Sequence, residues 1–424
     1  MLQIQLLRQN PQFAIERIQH KGLSDAENLV KSILAFDDDR KALKTELDNQ
    51  LAEQNQLAKV IGQLMKSGDA QAAEEAKNKV AALKASSKLL EEQVAELEKK
   101  QFEQLVKLPN LPGPLVPAGK SPEDNVVVYQ VPVIPELSAD AIPHWELAKK
   151  YDIIDFELGV KLTGAGFPVY KGQGARLQRA LINYFIDQAT AAGYYEVQPP
   201  ILVNEDSGFG TGQLPDKEGQ MYYVGIDNLY LIPTAEVPVT NIYRDVILKE
   251  DDFPIKNVAY TPCFRREAGS YGKDVRGLNR LHQFDKVEIV QIEHPERSYA
   301  TLENMRNYVA SLVESLGLPY RILRLCGGDM SFASAMTYDF EVWSAAQQRW
   351  LEVSSVSNFE SFQSNRLKLR YKGNDGKNQL AHTLNGSAMA LPRIVAALLE
   401  NNQGPDGIRI PEVLVPYTGF SHIR

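Results

Sequence analysis

An unbroken stretch without proline constrains this chain more than any other feature. Residues 25–107 contain no proline and few glycines, unlike the rest of the sequence. Two rows of mostly apolar residues recur there at seven-residue intervals, offset by four positions. The rows are Leu29, Phe36, Leu43, Gln50, Leu57 and Leu64, and Ile33, Arg40, Leu47, Gln54 and Ile61. This a/d seam, with charged residues between its members, is typical of a coiled-coil helix.

A second run with the same spacing follows after a short break. Its members are Val80, Leu83, Leu90, Val94 and Leu97, with Ser87 and Gln101 in register. In the break, Gly68 suits the residue just after a helix and Asp69 suits the N-cap of the next helix. We therefore predict an antiparallel hairpin of two helices, each about 40 residues and roughly 60 Å long.

Lysines are concentrated around the predicted tip of this hairpin. Residues 54–90 contain Lys59, Lys66, Lys77, Lys79, Lys84 and Lys88. Only Asp69, Glu74 and Glu75 oppose them, so that six positive charges minus three negative ones leave +3. The heptads alone favour an oligomerisation or spacer arm, and a charge run is more often a solvated face. The local positive charge nevertheless makes the segment suited to a polyanion.

A proline-rich segment ends the helical pattern. Four prolines stand within nine residues, at positions 109, 112, 114 and 117. Such a run is stiff and cannot continue a helix, which predicts a domain boundary. We predict a helical N-terminal domain at residues 1–107, a linker at 108–120 and a second domain at 121–424.

The second domain mixes strand and helix patterns. Residues 125–133 and 258–260 have the composition of strands, and 177–192, 297–316 and 392–401 have that of amphipathic helices. The two kinds do not alternate in a regular βαβ order, which predicts an α+β domain with a largely antiparallel sheet rather than a doubly wound one.

Composition excludes several classes of protein. The net charge of −8 argues against a protein that coats nucleic acid without selectivity, yet leaves room for a local basic surface. Two cysteines, Cys263 and Cys326, provide neither a disulfide framework nor a cysteine-rich zinc site. We find no signal peptide and no apolar run long enough for a membrane span, and expect a cytoplasmic protein without a membrane partner.

One segment has the residues of a phosphate-binding site, although the chain has no G-x-x-x-x-G-K-[ST] loop. It runs from FRREAGS at 264–270, through Arg276 and Arg280, to HQFDKVE at 282–288. We interpret it as two strands joined by a glycine-containing loop. Planar guanidinium groups can hold phosphate bidentately, and Phe284 can stack on a base. A salt-bridged surface hairpin would have a similar composition.

This segment resembles motif 2 of the class II aminoacyl-tRNA synthetases, in the form found in seryl-tRNA synthetases. AGYYEVQPP at 192–200 resembles motif 1, NGSAMALPR at 385–393 resembles motif 3, and TAEVPVTN at 234–241 is similar to the serine-pocket segment of that family. The order and spacing of these segments agree over nearly the whole chain, including the helical hairpin.

The resemblance implies activation of L-serine by ATP to seryl-adenylate and pyrophosphate, followed by transfer of serine to the 3′ end of a tRNA. It implies that Arg265 contacts the α-phosphate, that Glu267 and the Leu281 backbone lie beside an adenine stacked on Phe284, and that Arg393 holds the γ-phosphate. It places Arg265, Glu352 and Arg393 as catalytic residues. The implied ATP-binding set is Arg265, Arg266, Glu267, Leu281, Phe284, Glu352, Val353, Ser354, Ser355 and Arg393.

The resemblance also implies the serine and metal ligands. Serine is expected to contact Thr234, Ala235, Glu236, Glu288, Asn385 and Ser387. Ser387 is expected to face the substrate hydroxyl. Glu352 and Ser355 are the implied magnesium ligands, since Mg²⁺ commonly bridges phosphates to a carboxylate. We expect no zinc, because neither cysteine lies in the pattern of the zinc-dependent form of the family.

Partners follow from the same resemblance. The lysine-rich arm is expected to bind tRNA(Ser), and tRNA(Sec) where it is present, by shape and phosphate contacts. Motif 1 implies a homodimer. Arg266 and Pro392 depart from the usual motifs, but an exposed strand position and a first-turn proline are both tolerated.

Two other functions share these motifs. One is an ATP-dependent ligase that charges a small amino acid onto a carrier protein, and the long arm argues against it. The other is an inactive RNA-binding paralogue, and the presence of Arg265, Glu288, Glu352 and Arg393 argues against that.

Overall fold

The computed structural model describes residues 1–137, 141–216, 219–267 and 276–424. The chain divides into two compact units. One consists of Leu2–Gln19 and Leu23–Pro109, and the other of Met1, His20–Gly22 and Asn110–Arg424.

The first unit is helical. Its helices are α1 Ile4–Gln9, α2 Pro11–His20, α3 Ala26–Ser67 and α4 Ala70–Leu105. Gly68 ends α3 in the left-handed conformation, with φ of 79°. The Asp69 carboxylate accepts a hydrogen bond of 3.1 Å from the Ala72 N–H and so caps α4. Both predicted turn residues are thereby confirmed.

Helices α3 and α4 run antiparallel, as predicted. Contacts between them pair early residues of one helix with late residues of the other. The Gln101 amide donates to the Ile33 carbonyl at 3.2 Å. Nearer the turn, the Gln54 amide donates to Ser87 Oγ at 2.6 Å. All eleven members of the two rows in α3 are buried or half-buried. The heptad pattern therefore identified the packed seam of the hairpin.

The second unit is built on a large sheet. Its helices are α5 His144–Lys150, α6 Phe156–Leu162, α7 Gly172–Ala191, α8 Glu205–Thr211, α9 Glu236–Asn241, α10 Ser298–Ser315, α11 Phe362–Leu367, α12 Leu391–Asn401 and α13 Val415–Thr418. Its strands are β1 Val126–Gln130, β2 Ile154–Asp155, β3 Val169–Tyr170, β4 Tyr195–Glu196, β5 Leu202–Val203, β6 Tyr223–Val224, β7 Leu229–Leu231, β8 Ile247–Lys249, β9 Ile255–Phe264, β10 Gln283–Glu293, β11 Tyr320–Arg324, β12 Met336–Ser344, β13 Arg349–Glu360, β14 Arg370–Lys372, β15 Asn378–Leu380, β16 His382–Ala390, β17 Gln403–Gly404, β18 Gly407–Arg409 and β19 His422–Ile423.

Eight strands form the large sheet in the order β1-β11-β12-β13-β16-β10-β9-β4. Every pairing in it is antiparallel except that of β4 with β9. Side chains from β10, β12, β13 and β16 share one apolar core with α7, α10 and α12. The predicted α+β architecture is confirmed.

Helix α7 starts earlier than its sequence pattern indicated. The predicted start was residue 177, whereas the helix begins at Gly172. Glycine is a poor helix former, so Gly172 and Gly174 hid the first turn from a pattern of apolar residues. Gly174 is needed there because an added Cβ would lie 2.2 Å from the Ile153 carbonyl oxygen.

The proline-rich segment packs within the second unit from Asn110 onward. The Asn110 amide donates to the carbonyl oxygens of Ala333 at 2.9 Å and Phe359 at 2.8 Å. The Gly113 N–H donates to the Ala335 carbonyl at 2.7 Å. Because these bonds fix the backbone, the segment is an ordered part of the unit at these positions.

Candidate active site

One face of β10 supplies the centre of the site. Side chains alternate along a strand, so Phe284, Lys286 and Glu288 share a face. Lys286 is 5% exposed and Glu288 is 2% exposed. Charged side chains are rarely buried to this extent unless they have a partner.

A bulge in β16 brings two further polar side chains to the same face. Glu288 pairs with Ser387 and Val287 pairs with Met389, so Ala388 is an extra residue in β16. Glu288 and Ser387 therefore lie directly across from each other. Ser387 Oγ donates to Glu288 Oε2 at 3.2 Å. Two residues earlier on β16, Asn385 is buried, and its Nδ2 has no hydrogen-bond partner among the described residues.

Lys286 connects Glu288 to the segment that precedes α9. Its Nζ lies 2.7 Å from Glu288 Oε2 and donates to Thr234 Oγ1 at 2.8 Å. The backbone N–H of Glu236 also donates to Thr234 Oγ1, at 3.2 Å. Both lone pairs of this hydroxyl are therefore occupied, and its hydrogen is left to donate.

Glu236 is a second buried carboxylate in the same pocket. Gln363 Nε2 donates to Glu236 Oε1 at 2.6 Å, and Thr383 Oγ1 donates to Gln363 Oε1 at 2.6 Å. Burial first, and then the negative charge of Glu288, raise the pKa of the Glu236 carboxyl to about 7, against the opposing effects of Gln363, Lys286 and the nearby Asn385 amide. The free energy cost of ionising Glu236 is what a cationic ligand would remove.

The hydrogen bonds of these residues leave a specific set of groups for a ligand. Within the part of the chain that the structure describes, one oxygen of Glu236 and one of Glu288 remain acceptors, whereas the Thr234 hydroxyl and the Asn385 amide remain donors. Ala235, beside them, is fully buried and adds no polar side-chain atom. A small ligand with an ammonium group, a hydroxyl and an anionic oxygen would satisfy this set.

Arg265 lies at the edge of this pocket, just beyond the end of β9. Its Nε donates to the Pro233 carbonyl at 3.3 Å, and its guanidinium lies 5.2 Å from the centre of the Phe284 ring. Only one of its five N–H donors has a side-chain hydrogen bond within the described residues, so a forked face remains for an anion. The phenyl ring is half-buried and lies on the same strand face as Lys286 and Glu288.

The rest of the second motif is described only in part. Glu267 pairs with Arg280, and Arg266 is exposed. Leu281 has its side chain in the apolar core, so only its backbone is available to a ligand. Residues 268–275, which include the glycine of FRREAGS, lie outside the described residues.

A second bulge, in β13, brings three oxygen-bearing side chains to one face. Glu341 pairs with Glu352 and Phe340 pairs with Ser354, so Val353 is the extra residue. Strict alternation would separate Glu352 and Ser355, but the bulge places them on the same face, together with Asp339, which pairs with Ser355. Asp339 Oδ1 is buried without a hydrogen-bond partner among the described residues. Burial, and then the charge of Glu352, raise the pKa of Asp339 well above its usual range.

Arg393 lies beside this face, in the first turn of α12. Its Nε donates to the Asn279 carbonyl at 2.9 Å and its Nη1 to the Glu352 carbonyl at 2.8 Å. Its Nη1 also lies 3.7 Å from Glu352 Oε2. The guanidinium is thereby fixed while several donors stay available.

A buried hydrogen-bond network fixes the backbone that holds Arg393. His144 Nδ1 lies 2.7 Å from Glu400 Oε1, and both side chains are fully buried. The Leu278 N–H donates to His144 Nε2 at 2.8 Å. His144 therefore carries its proton on Nδ1 and fixes the backbone next to Asn279, whose carbonyl holds Arg393.

The structure thus brings the serine-pocket candidates together around Glu288, and separately groups Glu352, Ser355 and Arg393. Two residues predicted to bind ATP have side chains that are not available to a ligand. Val353 is buried, and Ser354 faces away and donates to the Ser387 carbonyl at 2.5 Å. Their backbone atoms are the groups that remain available.

Sequence reasoning missed Lys286, Gln363 and Asp339. Lys286 stands midway between Phe284 and Glu288, and its position two residues from each was a signal that it shares their face. Gln363 and Asp339 had no such signal, because their roles depend on contacts with distant segments.

The six predicted polyanion-binding lysines belong to the helical unit. All six are exposed. Lys77 forms an ion pair with Glu74 at 3.2 Å, and Lys79 forms one with Glu53 at 2.7 Å. Lys59, Lys66, Lys84 and Lys88 have no acidic partner among the described residues. Within the described part of the chain, no helix has the length and apolar character needed to cross a membrane.

Comparison with known protein families identifies both parts of the chain. Residues 1–112 match the family described as "Seryl-tRNA synthetase N-terminal domain". Residues 222–402 match "tRNA synthetase class II core domain (G, H, P, S and T)". The chain is 51% identical to the serine–tRNA ligase of Salinibacter ruber, covering 100% of this chain and 99% of that protein. It is 47% identical to that of Akkermansia muciniphila, with the same coverage.

Solved structures show the same similarity. Seryl-tRNA synthetase from Pyrococcus horikoshii, complexed with ATP, is 33% identical, with a TM-score of 0.93 over 100% of this chain and 99% of that one. The cytoplasmic serine–tRNA ligase of Naegleria fowleri, complexed with AMP, is 26% identical, with a TM-score of 0.86 over 100% of this chain and 99% of that one.

Proposed function

This chain belongs to the seryl-tRNA synthetases of class II, and on that premise we propose that the pocket around Glu288 binds L-serine and the adjoining surface binds ATP. The enzyme is a serine–tRNA ligase. A serine carboxylate oxygen attacks the α-phosphorus of ATP and pyrophosphate leaves. The 3′-terminal ribose of the tRNA then attacks the seryl carbonyl, and AMP leaves.

The groups left free in the pocket support the assignment to serine. Glu236 and Glu288 each offer an oxygen that can accept from the serine ammonium or hydroxyl. Asn385 and Thr234 offer donors to the serine oxygens. Ser387 holds Glu288 from the opposite strand, next to the place where the substrate hydroxyl would lie. Alanine would leave a buried partner unsatisfied, which is the strongest way to reject it.

The arrangement of arginines supports the assignment to ATP. Arg265 lies between the serine pocket and Phe284, so it can hold an α-phosphate next to a serine carboxylate while the ring stacks on adenine. Arg393 lies at the other end, next to Glu352, where it can hold the γ-phosphate. Both steps need alignment and charge stabilisation, and no covalent protein nucleophile is required.

A magnesium ion fits the face formed by Glu352 and Ser355. The buried, unpaired oxygen of Asp339 on the same face is the observation that supports a cation there. Mg²⁺ prefers one or two carboxylates together with substrate phosphates and water, so Glu352, Ser355 and Asp339 suffice to hold it. When bound, the ion would neutralise charge on the phosphates. In the described residues, no group of three His, Cys, Asp or Glu side chains is placed to hold a metal.

The helical unit is the proposed tRNA-binding domain. Its four exposed lysines without acidic partners among the described residues lie between positions 59 and 88, on the two helices joined at Gly68, and can contact phosphates of tRNA(Ser). We propose that tRNA(Sec) is also a substrate where it occurs. The proposed domain bounds remain 1–107, 108–120 and 121–424.

We propose that the enzyme is a homodimer and that it is located in the cytoplasm. Tyr195 is 73% exposed and Leu202 is 40% exposed, and both lie in or next to the first motif. The proposal of a homodimer rests on the resemblance of this segment to motif 1, and these exposed side chains leave apolar surface there for a second copy.

Pyrophosphate exchange with each amino acid in turn tests the proposed function. Serine should stimulate exchange, and alanine and threonine should do so far less. Stimulation by another amino acid instead of serine would contradict the assignment of the pocket.

A further inference from the structure

Lys286 is a buried cation inside the proposed serine pocket. The resemblance to the class II motifs implied roles for Phe284 and Glu288 but none for Lys286. Its side chain is 6% exposed, compared with 3% for that of Glu288, and the two charged atoms are 2.7 Å apart. Its second partner, Thr234 Oγ1, lies 2.8 Å away. Lys286 therefore contacts two of the groups proposed to bind serine, one from β10 and one from the segment before α9.

The charges of the pocket explain why a cation is needed there. Glu236 and Glu288 are both buried, and two carboxylates in one buried site repel each other. When both carboxylates are ionised, the three buried side chains Glu236, Glu288 and Lys286 sum to −1, from two negative charges and one positive. A net charge of −1 matches a single substrate ammonium, whereas −2 would favour protonation of one carboxylate instead.

Lys286 also fixes the direction of the hydrogen bonds. It contacts Oε2 of Glu288, which also accepts from Ser387, so Oε1 is the oxygen left to accept from a ligand. It occupies a lone pair of Thr234, whose second lone pair accepts from the Glu236 N–H, so Thr234 can only donate to the ligand. Without the ammonium, Thr234 could turn and donate to Glu288 instead of to serine.

We propose that Lys286 is a positioning and specificity residue. It sets the charge of the pocket for one ammonium, and it keeps Glu288 as a hydrogen-bond acceptor and Thr234 as a hydrogen-bond donor for serine. The inference rests on the proposed function, because it assumes that this pocket binds serine. Lys286 acts through Glu288 and Thr234 and is not assigned a contact with the reacting atoms.

Other titratable and charged groups face the pair from neighbouring elements. Glu236 faces it from α9, Cys263 from β9, and Arg265 from the segment after β9. Burial raises the pKa of the Cys263 thiol, so that group stays neutral. Ser387 and Asn385, from β16, carry no charge. Ionisation of Glu236 is therefore the event that a change at Lys286 should shift.

The test compares K286M and K286Q with K286R in pyrophosphate exchange. The quantity measured is kcat/KM for serine between about pH 6 and 9, together with KM for ATP and the melting temperature. K256M is the matched control. Lys256 lies on the neighbouring strand β9, with its ammonium 5.4 Å from the centre of the Tyr194 ring.

In wild type, kcat/KM for serine should rise with pH as Glu236 ionises. In K286M and K286Q this rise should move to higher pH, and KM for serine should increase by at least about 30-fold. KM for ATP should change by less than about threefold, because Lys286 lies on the serine side. K286R retains the charge, so its rise should stay at the wild-type pH even if its rate is lower. K256M should resemble wild type.

Two results would overturn the proposal. The first is that kcat/KM for serine in K286M and K286Q rises at the same pH as in wild type. The second is that this rise in K286R is shifted to higher pH as far as in K286M and K286Q. If K286M does not fold, K286Q and K286R still decide between these outcomes. Failure of the wild-type enzyme to show serine-dependent exchange would instead contradict the proposed function.

Discussion

Arg393 donates a hydrogen bond of 2.8 Å to the backbone carbonyl of Glu352, so the first turn of α12 is tied to the bulged strand β13. A second bond, from Arg393 Nε to the Asn279 carbonyl at 2.9 Å, fixes the guanidinium plane. These bonds use two of the five N–H donors and leave three for a ligand. The fixed fork costs little to reorganise when a phosphate arrives, which is the property that electrostatic catalysis requires.

Replacement of Arg393 should weaken the use of ATP. R393Q removes the fork and the charge and should lower kcat/KM for ATP in pyrophosphate exchange by about 100-fold or more. R393K keeps the charge without the planar fork and should lie between R393Q and wild type. R409Q removes an exposed arginine from β18 and should leave the rate unchanged. Equal rates for R393Q and R409Q would contradict the role of Arg393.

Loss of the Ser387 hydroxyl should reduce discrimination between serine and alanine. In S387A, Glu288 Oε2 loses the hydrogen bond of 3.2 Å from the opposite strand, and its orientation is less well fixed. The ratio of kcat/KM for serine to that for alanine should fall about tenfold, since one buried hydrogen bond contributes on that scale. S311A, an exposed hydroxyl on α10, is the control. An unchanged ratio in S387A would remove Ser387 from the specificity site.

Glu236 should lower the stability of the free enzyme above neutral pH. Burial and the charge of Glu288 raise the pKa of Glu236 from 4.5 to about 7 in the folded state. A raised carboxyl pKa gives a stability contribution that is present below the unfolded pKa and is lost as pH rises through about 7. E236Q should therefore be more stable than wild type at pH 8, by an amount on the order of 3 kcal/mol, with little difference near pH 5.

Urea unfolding at both pH values measures this difference. E412Q, which changes an exposed glutamate, should show no such dependence on pH. E236Q should also lose serine-dependent exchange, because the acceptor for the ammonium is weakened. A stability difference between E236Q and wild type that is the same at both pH values would contradict the assignment.

The structure also shows which parts of the site the sequence could reveal. The heptads located the helical hairpin, and Gly68 and Asp69 located its turn, because caps and coiled-coil seams depend on residues close together in the chain. Strand β10 and the start of α12 were also predicted from short segments. The first motif strand was predicted to include Arg265 and Arg266, which is wrong, because β9 ends at Phe264.

The two bulges were beyond the reach of the sequence. Strict alternation would put Glu352 and Ser355 on opposite faces of β13, and only the pairing with β12 shows that Val353 is the extra residue. Gln363 contacts Glu236 across 127 positions of the chain. No local pattern encodes such a contact, because it depends on how distant segments pack together.

Asp339 should strengthen magnesium binding. D339N keeps the shape of the side chain but removes the charge, so the Mg²⁺ concentration for half-maximal exchange should rise about tenfold. The affinity of ATP-bound enzyme for Mn²⁺, followed by electron paramagnetic resonance, should fall in parallel. D375N, in the exposed turn between β14 and β15, is the control. Unchanged metal affinity in D339N would exclude Asp339 from the site.

The unpaired lysines of the arm should contribute to tRNA affinity alone. The variant K59Q/K66Q/K84Q/K88Q should raise KM for tRNA(Ser) and lower the salt dependence of binding by up to about 0.7–0.9 per lost phosphate contact. Pyrophosphate exchange should not change, because these residues belong to the separate helical unit. The variant K31Q/K44Q/K99Q/K100Q removes the same number of positive charges elsewhere on the two helices. It should change KM for tRNA(Ser) and the salt dependence of binding less. Equal effects from both variants would contradict a lysine-specific contact.

Direct charging of tRNA tests the central claim. Labelled L-serine, ATP and tRNA(Ser) are incubated with the enzyme, and serine attached to the tRNA is measured against the same tRNA lacking its 3′-terminal adenosine. Attachment should require ATP, should approach one serine per intact tRNA, and should be absent from the truncated tRNA. Serine-dependent pyrophosphate exchange without any serine on the intact tRNA would contradict the account and would favour a carrier-protein ligase.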